Sequence, residues 1–181
     1  MTTATRNLED DHVHILKMID VMEKIVHDKA SDISHIETIA GIIRNFADGI
    51  HHAKEENIFF PFLSDKGFSS QQGPVAVMLH EHELGREFVK NISDNIAHFK
   101  NGDKSVLPEI HHNMTGYADL LKNHIAKENN ILFRMADRVL SDSDQKELLS
   151  GFGEAERKYS AETGSVNYVE QIQRLADFYK I

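Results

Sequence analysis

Apolar residues recur along most of the chain at intervals of three and four, as in Leu8, Ile15, Ile19, Met22 and Ile25, the spacing that lays a single stripe along an α-helix. Only three prolines and ten glycines interrupt the pattern, which predicts an all-α protein. A first helix is expected over about residues 5–28, and a second starts at Ser34, with Glu37 as its capping partner, and runs to about residue 64. Gly73 and Pro74 open a third that stops near 101–103, and a fourth spans about 105–140. Short connections between four long helices favour antiparallel neighbours, so the fold class read here is an up-down-up-down four-helix bundle. Residues 141–181 open on a capping box, Ser141 with Asp144, and break at Gly164 into two extra, shorter C-terminal helices. Their apolar positions Leu148, Leu149, Phe152, Val169, Ile172, Leu175 and Phe178 are expected to pack on the bundle. The expected division is a bundle over 1–140 and a helical extension over 141–181, to which no chemistry is assigned.

One stretch is written twice. Residues 51–61 read HHAKEENIFFP and 124–134 read HIAKENNILFR, 73 positions apart, with His51 and Glu55 matched by His124 and Glu128. A second pair supports the duplication: His12 follows an acid in LEDDH and His82 follows one in MLHEH, 70 positions apart. Helices one and two therefore read as a copy of helices three and four. Two such copies related by an approximate two-fold axis would deliver equal sets of side chains to a point on that axis.

An α-helix turns about 100° per residue, so His51 with Glu55, and His124 with Glu128, share a face. His12 and His14 are two residues apart, as are His80 and His82, so one member of each pair faces inward. The apolar stripe selects His12, and its matching place after an acid selects His82. His14, His80, His111 and His112 are assigned to the surface, and Ile58, Phe59, Ile131, Leu132 and Phe133 to the core. Four imidazoles and two carboxylates are too many donors for one structural zinc and suit two first-row metals. Buried carboxylates without partners cost several kcal/mol each, so Glu55 and Glu128 call for cations and are natural bridges between them.

Composition narrows the chemistry. The chain has no cysteine, which removes disulfides, thiolate metal sites and iron–sulfur ligation, while twelve histidines stand out. A net charge of -9 repels a phosphate backbone, so nucleic acid is not expected as a partner. The longest apolar run, IFFPFL, is too short for a membrane span and the N-terminus has no signal-like apolar segment, which points to a cytoplasmic protein without a membrane partner.

Four stretches, LEDDHVHILKMI, FADGIHHAKEENIFFPFL, VAVMLHEHELGREFVKNI and LLKNHIAKENNILFRMAD, spread in order over residues 8–137, resemble the hemerythrin-like HHE cation-binding family. The resemblance implies a four-helix bundle holding two iron ions as a non-haem di-iron centre. The matching positions are His12, His51, Glu55, His82, His124 and Glu128. It also implies a small diatomic ligand or peroxide as the partner molecule, with any protein partner left unassigned. Oxygen-carrying hemerythrins use five histidines, with a close pair on the third helix. Here Met78 and Arg86 flank His82 at four residues' distance, so that pair is missing and open positions favour reaction over carriage. Glu56 and His52 are candidates for the missing donor, and Glu81 and Glu23 for orienting imidazoles. The expected function is binding of, and reaction with, dioxygen, peroxide or nitric oxide, its enzymatic standing left open. The alternatives are an oxygen, redox or iron sensor without turnover, and a bundle holding zinc or another redox-silent divalent ion.

Overall fold

In the computed structural model, which describes residues 2–164 and 166–181, the protein is all-helical, with no strand among the described residues. Helix α1 (Ala4–His27) is capped by Thr3, whose side chain accepts from the amide of Arg6. Helix α2 (33–65) starts on Asp32, whose carboxylate accepts from the amides of Ser34 and His35. The expected cap, Ser34, lies inside the helix instead, because an ionised Asp two residues earlier is the stronger acceptor for the free N–H groups. Helix α3 (Gly73–Lys100) and helix α4 (104–137) carry Pro74 and Pro108 in their first turns, where a missing N–H costs nothing.

The regular α-helical stretches of α2 and α4 widen into π-helical turns. In α2 these are Ile43–His52 and Glu55–Phe59, and in α4 Glu128–Leu132. The two five-residue turns begin at Glu55 and Glu128, the equivalent residues of the duplicated motif. A π-turn costs backbone hydrogen-bond geometry and is found most often at functional sites. Nothing in the periodicity announces it.

Around the bundle, α1 packs against α2 and α4, and α3 packs against α2 and α4, which closes a ring of four. Helix α5 (Asp142–Thr163) begins with the expected capping box and α6 (Tyr168–Tyr179) follows Gly164, whose φ of 83° ends α5. At 22 and 12 residues, both are shorter than the four bundle helices, as expected. Helix α5 lies on α1 and α2, where Gly49 lets the ring of Tyr159 approach the helix backbone and bond Asn45 through its hydroxyl. Of the apolar positions expected to pack, Leu148, Phe152, Ile172 and Leu175 are buried, but Val169 and Phe178 are exposed. Nine residues apart, they lie on opposite flanks of the face that α6 turns to α1 and α2, and Phe178 rests edge-on against His35 of α2.

The interior consists of two apolar clusters. The larger is built from α1 to α4 and α6, including Ile19, Met22, Ile39, Ile92, Met114 and Ile172. The smaller includes Leu8, Phe59, Phe60, Leu63, Phe133 and Phe152. Between them lies a layer of buried polar side chains.

A candidate metal centre between the two halves

That layer contains every residue selected from the sequence. His12, His51, His82, His124, Glu55 and Glu128 are each at most 2% exposed. The imidazoles pair within each half: His12 Nε2 lies 3.0 Å from His51 Nε2, and His82 Nε2 lies 3.1 Å from His124 Nε2. Each carboxylate reaches across both pairs. Glu55 Oε2 is 3.7 Å from His51 Nε2 and 3.4 Å from His82 Nε2, while Glu128 Oε2 is 3.2 Å from His12 Nε2 and 3.3 Å from His124 Nε2. This is the bridging placement, one carboxylate from each half.

The other ring nitrogens fix which atoms face inward. His51 Nδ1 points at Asp11 Oδ2 (3.1 Å), His124 Nδ1 at Glu81 Oε2 (3.0 Å), His82 Nδ1 at Glu56 Oε1 (2.7 Å) and His12 Nδ1 at Asn129 Oδ1 (2.7 Å). Carboxylate oxygens, and the amide oxygen of Asn129, accept only, so Nδ1 carries the hydrogen and, in the neutral imidazole, Nε2 presents a lone pair to the interior. With both imidazoles neutral, lone pairs facing one another at 3.0–3.1 Å have no hydrogen to share and repel unless a cation or an added proton lies between them. All four oxygens of Glu55 and Glu128 are buried without a hydrogen bond.

The electrostatics point the same way. Burial pushes Glu128 up to about 8, reinforced by the charge of Glu55. At His82 burial opposes the charged form, yet Glu55 and Glu56 outweigh it and push the imidazole up to about 9. Burial holds His12 below its ordinary range. Protein groups alone can balance the buried charge only by holding protons, whereas two divalent ions supply four positive charges against two negative ones.

Residues 3–136 match the family described as the hemerythrin HHE cation binding domain. The chain belongs to that family. Among curated proteins it is 30% identical over 129 residues to the iron-sulfur cluster repair protein YtfE of Pectobacterium carotovorum, an overlap of 68% of this chain and 57% of that protein. It is 31% identical over 88 residues to YtfE of Escherichia coli O157:H7, covering 48% of this chain and 40% of the relative. An uncharacterized protein of Mycobacterium tuberculosis, Rv1995, is 22% identical over 175 residues, 94% of this chain and 68% of that one. The chain thus spans little more than half the length of the first of these relatives. No solved structure gives a match.

In this hemerythrin-type layer the outer partners show what the sequence reading missed. Asp11 and Asn129 orient imidazoles, and neither was a candidate. Both could have been found from the repeat, since Asp11 precedes His12 as Glu81 precedes His82, and Asn129 follows Glu128 as Glu56 follows Glu55. Glu81 takes the orienting role expected of it. Glu23 does not: it pairs with Lys122 at the surface. Glu56 stands outside the layer, bonding His82 Nδ1 and Arg86, because one more residue along the helix turns it away from Glu55. His111 is not fully solvated, its Nε2 meeting the carbonyl of Ala30 at 2.9 Å.

His52 is the larger surprise. Only 4% exposed, it offers a nitrogen within 4.8 Å of donor atoms from Glu55, His82 and His124. The long π-helical stretch Ile43–His52 turns it inward alongside His51. No comparable stretch was legible.

The lysines of the two motifs have different surroundings. Lys54 is fully buried, with Nζ 2.7 Å from Asp11 Oδ2, 2.9 Å from Asn7 Oδ1 and 2.9 Å from Glu156 Oε1 on α5. Burial works against its charge, but Asp11 and Glu156 outweigh it and hold Lys54 above the ordinary lysine range. Lys127, its counterpart, pairs with Glu81 and is 36% exposed. The difference is α5, which covers only the first half's motif.

Proposed function

We propose that this hemerythrin-family chain is a non-haem di-iron protein that binds dioxygen, peroxide or nitric oxide and reacts with them. His12, His51, Glu55 and Glu128 would hold one ion and His82, His124, Glu55 and Glu128 the other. The observation that carries the reading is the convergence of four imidazoles, each held through its outer nitrogen, and two carboxylates on a buried interior in which none of the four carboxylate oxygens has a hydrogen bond to a protein group. Bound there, a ferrous pair supplies two electrons to dioxygen or peroxide, or a coordination position to nitric oxide. The chain's own work is to hold the ions, exclude water and fix the imidazole tautomers. We read residues 1–140 as the unit that does so and 141–181 as its helical cover. The four long helices run alternately up and down in this reading: connections such as 28–32 and 101–103, at most ~17 Å when extended, cannot return along helices of 24 and 28 residues. Among the described residues, no helix is long and apolar enough to cross a membrane. The name shared by the YtfE relatives, iron-sulfur cluster repair, supports iron as the metal.

The test is elemental analysis with a visible spectrum in air. Protein expressed with ample iron should carry two irons per chain and absorb in the visible, whereas zinc would leave it colourless. Glu128→Gln should lower iron to one per chain or fewer. Without metal, this variant should unfold no more easily than wild type, since a neutral amide replaces a carboxylate that is costly to bury. Full iron content in Glu128→Gln would defeat the bridging role.

A sensor without turnover is the second reading, favoured by one contact chain. Asp11 is shared between His51 and Lys54, and Lys54 is tied to Glu156 on α5. A change of metal charge would reach α5 through three side chains. Oxidised and reduced protein should then differ in hydrogen exchange over 142–163, and identical protection would dismiss the sensor.

A further inference from the structure

The two halves are unequal beside the metal layer. By the repeat offsets of 70 and 73, Ile15 stands where Gly85 does, Ile19 where Val89 does, and Ile125 where His52 does. The three isoleucines are buried and fill the equivalent space on the opposite side of the layer. Gly85 omits a four-carbon side chain, and a cavity of about 320 Å³ lies between α2, α3 and α4, with His82, His124, His52 and Tyr117 on its wall. A water occupies ≈ 30 Å³ of liquid, so the space exceeds what a diatomic needs.

Two atoms on that wall are buried without a hydrogen-bond partner: His52 Nε2 and the Tyr117 hydroxyl. His52 does not point at the same ion as His82. Their rings are stacked with centroids 3.8 Å apart and planes 16° apart, and two such planes share no point at a metal–nitrogen distance of about 2.1 Å. His52 Nδ1 faces Asp48 Oδ1 at 3.4 Å, so Nδ1 carries the hydrogen and Nε2 is an acceptor. The Tyr117 hydroxyl is free to donate.

Resting on the metal-centre reading above, we infer that this cavity binds the exogenous ligand at the His82–His124 end, with Tyr117 donating a hydrogen bond to it and His52 Nε2 accepting one. The ligand class that satisfies both is a small molecule carrying a lone pair and a hydrogen on adjacent heavy atoms, hydrogen peroxide above a bare diatomic. His52 is a ligand-positioning residue, not a metal donor.

The experiment compares iron-loaded wild type with Tyr117→Phe, His52→Ile and His52→Gln. Azide accepts hydrogen bonds but donates none, whereas hydrogen peroxide does both. All four proteins should hold two irons. Tyr117→Phe should weaken azide about tenfold and slow peroxide decay about tenfold, the value of one buried hydrogen bond. His52→Ile should leave azide affinity within about twofold yet slow peroxide decay about tenfold, and His52→Gln, whose side-chain oxygen accepts, should recover part of that loss. Loss of one iron in both His52 variants would make His52 a ligand and overturn the inference. So would an unchanged peroxide rate in His52→Ile and Tyr117→Phe, or a wild type that binds azide but leaves peroxide untouched. A wild type with fewer than one iron per chain fails earlier, at the metal centre itself. Melting temperatures separate each outcome from simple misfolding, and Tyr117→Phe removes one oxygen and no packing.

Discussion

Removing bound metal with a chelator should lower the melting temperature by about 15–30 °C. The estimate follows from linkage: an ion at a thousand times its Kd stabilises the native state by about 4 kcal/mol, and two sites give about 8 kcal/mol. For a chain of this size each kcal/mol shifts the midpoint by about 2–4 °C. The structure says why the loss should fall at the high end. Without cations, the layer must hold protons in their place, with Glu128 pushed up to about 8 and His82 to about 9, around carboxylates whose four oxygens are buried without a hydrogen bond. Differential scanning calorimetry with and without chelator measures it directly. A shift below about 3 °C would mean that the buried layer does not hold metal with useful affinity.

The second large effect is an asymmetry between two equivalent lysines. Lys54→Met should destabilise the protein by about 3–5 kcal/mol, the cost of leaving a buried partner charge uncompensated. Asp11 would keep only His51, and Glu156 would lose its tie to α2. Lys127→Met should cost less than about 1 kcal/mol, because Lys127 is 36% exposed, so water reaches the pair, and Glu81 keeps its hydrogen bond from His124. Denaturant unfolding of the two variants under one condition tests the difference. Equal costs would show that α5 does not seal the first half's motif.

Much of this arrangement was legible before any coordinates. Helix limits followed from apolar spacing, and the six central side chains followed from the duplicated motif, because i and i+4 positions share a face whether the turn is α or slightly wider. The capping box at Ser141 was readable for the same reason: local hydrogen bonds depend on local sequence. What escaped were features that depend on the distant half. His52 turns inward only through the π-helical stretch Ile43–His52, whose cost is met by the site it builds. Asn129 matters only because His12 sits opposite it, 117 residues away in sequence. Phe178 carries an apolar side chain at a helical interval yet remains 64% exposed, because its ring meets His35 of α2 edge-on, with centroids 4.6 Å apart, and is not enclosed. Periodicity tells which positions could be covered, not which ones are.

Two of the four outer partners of the imidazoles cross from one half to the other. His12 of the first half is held by Asn129 of the second, His82 of the second by Glu56 of the first, and Glu55 and Glu128 each approach an imidazole on both sides. A half-length ancestor with one helix pair could therefore not have assembled this centre alone; it would have needed a twin, docked face to face as a homodimer. With both copies on one chain, each half is free to differ from the other, and they differ at Gly85 and His52.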